Sequence, residues 1–127
     1  MIVDSSVWID FIRDLDTPQV DVLAGAIRRR AAMTTDVVRL EVLTGETRVE
    51  QLASALDSCA DVMQLPRVDV EDGAEIYRTC RRAGETIRSL NDCLIAAIAI
   101  RSDVPVLHRG RDYDAIARHF PLRVVTE

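Results

Sequence analysis

The sequence predicts an α/β fold in which a parallel β-sheet is covered by helices on both faces. Three observations carry this expectation. Short apolar runs alternate with longer segments of helical spacing along the chain, the order expected of a parallel sheet with crossover helices. The short runs, "MIV" and "VPVL" among them, do not alternate cleanly between apolar and polar, as suits strands buried on both faces. No repeat, linker or low-complexity tract interrupts the pattern, so residues 1–127 read as a single domain with one core.

The elements follow in order. Residues 1–4 form a buried strand that ends at Asp4. "SVWIDFIRD" places Val7, Ile9, Phe11 and Ile12 at loosely helical spacing, and "VDVLAGAIRRR" gathers Val20, Leu23, Ala24 and Ile27 on one helix face. "AAMTT" is the second strand, with Asp36 as N-cap of the helix "VVRLEVLT" and Gly45 as its stop. A helix over residues 49–59 leads to a third strand, "DVMQL", closed by Pro66. "VEDGAEIYRTCRRAG" is helical and Gly84 is its natural terminator. The helix "SLNDCLIAAIAI", the strand "VPVLH", the short helix "YDAIARHF" and the strand "LRVVT" complete the chain.

Composition narrows the class. Apolar residues make up 48% and charged residues 29% of the chain, a globular balance. No apolar run approaches the ~20 residues of a membrane span, and the start of the chain lacks the basic and small-residue marks of a signal peptide. A cytoplasmic protein is expected. Cys59, Cys80 and Cys93 form no C-x-x-C pair and are odd in number, which favours reduced thiols over a disulfide or zinc site. His108 and His119 read as strand-end and helix-end residues, outside zinc spacing. A net charge of −5 excludes a protein that simply coats nucleic acid. All 16 basic residues are arginine, however, and arginine binds phosphate through a planar, bidentate fork.

Four acidic residues occupy awkward places. In open parallel sheets, ligands bind beyond the carboxyl ends of the strands where strand order reverses, and Asp4 follows the first strand directly. "DSS" already offers two serines to cap the next helix, so capping does not require Asp4. On a helix advancing about 100° per residue, Glu41 projects between Val37 and Val38, while the polar edge belongs to Arg39. Ser89-Leu90-Asn91-Asp92 resembles a capping box with Asp in the usual Glu position. Yet Asp92 lies in line with Ile95, Ala96 and Ala99, the face that should bury. Asp112 and Asp114 follow "VPVLH"; Asp114 suits the N-cap of the next helix, and Asp112, nearer the strand end, suits the pocket. Carboxylates brought together out of water must be paired, protonated or bound to a cation. All-oxygen ligands without a convergent His or Cys favour a hard ion, Mg²⁺ or Mn²⁺. The chemistry that fits is phosphodiester hydrolysis by water, since no P-loop or G-x-G-x-x-G cradle is present. On the substrate side, "YRTCRRAGETIRS" carries Arg78, Arg81, Arg82 and Arg88. Arg88, closest to the carboxylates, is the best candidate for gripping a phosphate. Arg109 and Arg111 bracket the other acidic loop.

"MIVDSSVWIDF", the glutamate of "RLEVLTG", "AGETIRSLNDCLIAAIAI" and "VLHRGRDYDAIA" together resemble the PIN-domain family, and within it the VapC toxins of bacterial toxin–antitoxin pairs. The match runs almost end to end, and the ordered set of four segments is far more specific than any one of them. The resemblance implies an α/β/α sandwich with a central parallel sheet, a homodimer, and an Mg²⁺- or Mn²⁺-dependent endoribonuclease that cuts tRNA or other structured RNA. It also implies neutralisation by a VapB-type antitoxin. Carried over by position, the catalytic and metal-binding residues are Asp4, Glu41, Asp92 and Asp112. Ser6 matches the small hydroxyl residue of the first motif, at the pocket's rim, and Ser6, Arg88 and Arg111 are the substrate-binding candidates. One departure stands out: where relatives often read H-R-D-R-D, this chain has "HRGRD", with Gly110 in an acidic position. One ion held through Asp4 and Asp92, with a second site weak or absent, is therefore expected.

Other readings share part of the pattern. A flap-cleaving DNA nuclease has a similar acidic pocket but needs an additional helical arch, for which the chain is short. A phospho-acceptor signalling domain holds magnesium at strand ends but needs a nearby lysine, and this chain has none. A binding module that has lost catalysis is a reading that Gly110 keeps open, and it predicts no cleavage with any divalent ion.

Overall fold

The computed structural model describes residues 1–45 and 48–125. Five strands, β1 (Ile2–Val3), β2 (Met33–Thr34), β3 (Ala60–Asp61), β4 (Val106–Leu107) and β5 (Val124–Val125), form one sheet in the order β3-β2-β1-β4-β5. Every adjacent pair is parallel. Among the described residues, seven helices flank the sheet: α1 (Ser5–Ile12), α2 (Pro18–Arg28), α3 (Asp36–Thr44), α4 (Val49–Asp57), α5 (Pro66–Arg82), α6 (Leu90–Ser102) and α7 (Asp112–Ala117). The expected α/β/α sandwich is what the chain builds. Strand order reverses between β1 and β4, so the crevice at their carboxyl ends is the place for a ligand in such a sheet. Asp4 stands at that crevice, its N–H bonded to Leu107 O at 2.9 Å.

The central strands β1 and β4 are apolar because both of their faces are covered. Ile2, Val3, Val106 and Leu107 are fully buried, together with Trp8, Leu23, Leu52, Leu56, Ile95, Ile98 and Ile116. Helix α6 is the central helix, with Cys93 and residues 95–99 buried on most of its circumference. It packs closely on α5: a Cβ at Gly73 would meet Leu94 Cα at 3.3 Å and Cys93 O at 3.4 Å. Helix α5 stops where a left-handed residue was expected, at Gly84 with φ +82°. Gly84 N–H bonds Arg81 O at 3.0 Å and Glu85 N–H bonds Cys80 O at 2.9 Å, a Schellman closure. Among the described residues the three cysteines are free, Cys59 half-buried and the other two buried, and no helix is long and apolar enough to cross a membrane.

Several local expectations are corrected. Thr35, not Asp36, caps α3, its hydroxyl accepting Val38 N–H at 3.4 Å. The third strand is Ala60–Asp61, sharing only Asp61 with "DVMQL", whose remaining residues lead into α5. Pro66 opens α5, where its missing N–H costs nothing. Three residues later Asp69 accepts Leu65 N–H at 2.6 Å and fixes this start. Helix α7 begins at Asp112, and Asp114 does not cap it. The last strand begins at Val124, so Leu122 lies outside the ladder while still packing into the core.

Candidate active site

Each acidic residue is delivered by a different element. Asp4 leaves β1 and enters α1 with extended backbone, and it is the N-cap of that helix after all. Its Oδ2 accepts Ser6 N–H at 3.1 Å and the Ser6 hydroxyl at 2.6 Å. Ser6 therefore acts on the carboxylate, and the serines do not relieve Asp4 of capping. Glu41 projects from α3 and is half-buried. Its Oε2 takes the Asn91 side-chain amide at 3.5 Å, and its Oε1 is buried with no partner among the described residues. Asp92 lies in the first turn of α6, facing inward as its helical position required.

Asp112 is buried at the start of α7. Its two oxygens each accept Arg88 N–H at 3.1 Å, and Oδ2 accepts Ser89 N–H at 3.0 Å. These are N–H groups at the entry to α6, which the helix itself leaves without partners. The Ser89 capping box is not formed; the Ser89 side chain makes no cap bond, and Asp112 does that work from across the site.

One hydroxyl ties the cluster together. Tyr113, 1% exposed, donates to Asp4 Oδ1 at 2.7 Å and lies 3.3 Å from Asp92 Oδ1. Asp4 and Asp92 thus stand within reach of a single oxygen atom. Sequence reasoning passed over this residue. The available signal was its place directly after Asp112 in an apolar helix, because a buried phenol needs a partner for its O–H.

The electrostatics are those of acids crowded together out of water. Burial, then the charge of Asp4, the hydrogen bond and charge of Asp112 and the charge of Glu41, push the Asp92 carboxyl up to about 8. Burial and Asp4 raise Glu41 as well, against the opposing hydrogen bonds of Asn91 and Ser5. Burial and the surrounding carboxylates hold the Tyr113 hydroxyl well above its ordinary value of 10.0. Among the described residues, no arginine figures in the shifts of Asp92 and Glu41. Arg109 is taken by buried Asp10, with Nη2 3.1 Å from Oδ1, and Arg118 makes a two-pronged pair with Glu85 at 3.1 and 2.6 Å.

The side chains of Arg88 and Arg111 are exposed, with no ion pair among the described residues. With Arg118 and Asp112 they line a cleft of about 400 Å³. The residues that could hold a cation are Asp4, Asp92 and Glu41, with Asp112 behind Asp92. Among the described residues no three His, Cys, Asp or Glu side chains stand in a ready-made ligand shell; the Tyr113 hydroxyl stands between two of them. The donor set still fits a hard ion. It is all oxygen, it carries an unpartnered buried atom at Glu41, and its carboxyls are crowded enough to push Asp92 up to about 8.

An all-parallel sheet, with carboxylates converging where its strand order reverses, defines an α/β/α sandwich with an acidic site at the switch point. A sequence profile described as the PIN domain matches residues 1–119, and the chain belongs to the PIN-domain family. It is 37% identical to a VapC ribonuclease of Mycobacterium bovis and, equally, to the ribonuclease VapC11 of Mycobacterium tuberculosis, with 93% of this chain and 92% of each relative covered. The solved VapBC2 complex of Rickettsia felis, bound to a DNA fragment from its promoter, matches with TM-score 0.73 over 98% of this chain and 96% of that one. A toxin–antitoxin complex from Klebsiella pneumoniae matches with TM-score 0.71 over 98% and 95%. At 17% and 16% identity these two comparisons concern the fold alone.

Proposed function

We propose that the chain is the toxin of a VapBC-type pair, an endoribonuclease that uses Mg²⁺ or Mn²⁺ to hydrolyse phosphodiester bonds of tRNA or another structured RNA. The observation that carries this reading is the convergence of Asp4, Glu41, Asp92 and Asp112 on one uncompensated site, in a chain 37% identical to VapC ribonucleases. The partners proposed with it are a VapB-type antitoxin, which the VapBC2 complex of matching fold supports, and a second copy of this chain.

In this reading Asp4 and Asp92 hold the ion, with Glu41 and Asp112 at its margin. A bound divalent ion supplies Lewis acidity, lowering the pKa of water and stabilising charge on the phosphate. The protein's own groups do the rest. Ser6 and Tyr113 fix both oxygens of Asp4, so that its carboxylate does not have to be ordered on binding. Asp112 holds the start of α6 and, through it, the direction of Asp92. Glu41, with its free Oε1, is the group placed to take a proton from attacking water. Arg88 and Arg111 grip the flanking phosphates. With Gly110 in place of an acidic residue, this set binds one ion well and leaves a second site weak or absent.

Incubating the purified chain with total RNA and Mg²⁺, beside Asp4→Asn and Asp92→Asn variants, tests the reading. Discrete cleavage that is lost in both variants and in EDTA is the expected result. Absence of cleavage with Mg²⁺ and with Mn²⁺ would make the chain a binding module instead.

A further inference from the structure

Asp4 is held from two sides. Ser6 occupies Oδ2, and Oδ1 is held from the far end of the chain by a hydroxyl that cannot wander. The Tyr113 ring is buried and stacks on fully buried His108, with centroids 4.9 Å apart and planes tilted by 49°. A phenylalanine would fill that space equally well, so packing does not require the hydroxyl. The chemistry of the donor is also selective. An arginine or lysine beside Asp4 and Asp92 would cancel their charge and take the place of a cation. A neutral phenol fixes the geometry and leaves the negative charge intact, while Asp10 and Glu85 keep the nearby guanidiniums of Arg109 and Arg118 away.

We infer that Tyr113 is a positioning residue for the divalent ion: its hydroxyl orients Asp4 Oδ1 toward Asp92 so that the two carboxylates bind one cation together. The inference rests on the metal-dependent reading above and adds a residue to it. Ligating carboxylates are themselves hydrogen-bonded, and loss of such a partner costs about 10- to 100-fold in metal affinity.

The test is calorimetric titration of Mn²⁺ into metal-free parent and Tyr113→Phe, with thermal midpoints of both measured in EDTA. The expected result is a Phe variant that stays folded in EDTA and binds Mn²⁺ about 10- to 100-fold more weakly. A purely structural hydroxyl would lower the midpoint and leave the Mn²⁺ constant unchanged, and that outcome overturns the inference alone. A parent that binds no Mn²⁺ overturns the metal reading, and the inference with it. Should Tyr113→Phe fail to fold, the parent labelled with 3-fluorotyrosine decides by ¹⁹F resonance. Movement of the Tyr113 signal with Mg²⁺, against a still Tyr77 signal, supports the inference, and two still signals overturn it.

Discussion

Asp112 holds Ser89: its carboxylate accepts the Ser89 N–H at 3.0 Å and so ties the first turn of α7 to the first turn of α6, 23 residues earlier. Together with the two contacts to Arg88 N–H, this fixes the helix that carries Asp92. The fourth acidic residue is therefore as much a part of the scaffold as of the acidic cluster.

Asp112→Ala leaves partly buried N–H groups at the start of α6 without an acceptor. Stability should fall by about 1–3 kcal/mol, read from urea unfolding in EDTA. RNA cleavage should fall further than the loss of folded protein explains, because Asp92 is no longer held.

The pH dependence should run opposite to that of an ordinary acidic residue. The Asp92 carboxyl titrates near 3.8 in the unfolded chain and at about 8 in the folded one. Its contribution to stability is complete below the unfolded value and is lost as pH rises through about 8. The thermal midpoint of metal-free protein should drop between pH 5 and pH 8.5, roughly the window those values define. Asp92→Asn should flatten that drop. Since the ion must displace the proton, Mn²⁺ affinity of the parent should rise over the same range.

Away from the site, Asp69 and Arg101 join the start of α5 to the end of α6. Arg101 Nε lies 2.7 Å from Asp69 Oδ1, and its Nη2 reaches Met63 O at 2.6 Å. Burial alone would raise the pKa of Asp69, but the hydrogen bonds from Arg101 and Leu65 N–H and the arginine's charge hold it below 3.8. Arg101→Ala strands a carboxylate with no solvent exposure. The cost should be about 2–3 kcal/mol, below the full buried-pair range because the arginine is partly solvated. Urea unfolding measures that loss, while the Mn²⁺ constant should not move.

Arg88→Ala and Arg111→Ala should each weaken RNA binding roughly 3- to 10-fold and lower the slope of affinity against salt by about one. Fluorescence anisotropy with an Asp4→Asn background, which prevents cleavage, reads both quantities. Arg109→Ala should instead lower stability, since its guanidinium is committed to Asp10.

The sheet and most helices were legible because burial on both faces writes itself into the sequence as short apolar runs between helical ones. The inward set of Asp92 and Glu41 was legible for the same reason, since a carboxylate among valines or alanines contradicts its helix face. Local chemistry was less decisive where two residues could do one job. Thr35 and Asp36 are both good caps, and backbone geometry chose the first. Pro66 ends a strand or begins a helix equally well until Asp69 is seen closing on Leu65. Pairs remote in sequence left no mark at all: Asp10 with Arg109, Asp69 with Arg101, and Tyr113 with Asp4. Gly110 belongs to neither group. A Cβ there would touch nothing within 4 Å, and its backbone is not left-handed, so the fold does not demand a glycine.

The bond from Tyr113 back to Asp4 joins positions 109 residues apart, which gives the site a place in time as well as in space. A chain growing from its amino end displays Asp4, Glu41 and Asp92 before either Asp112 or Tyr113 has been made. Until synthesis has passed residue 113 the nascent polypeptide carries these acids without the hydroxyl that holds Asp4 from the far end.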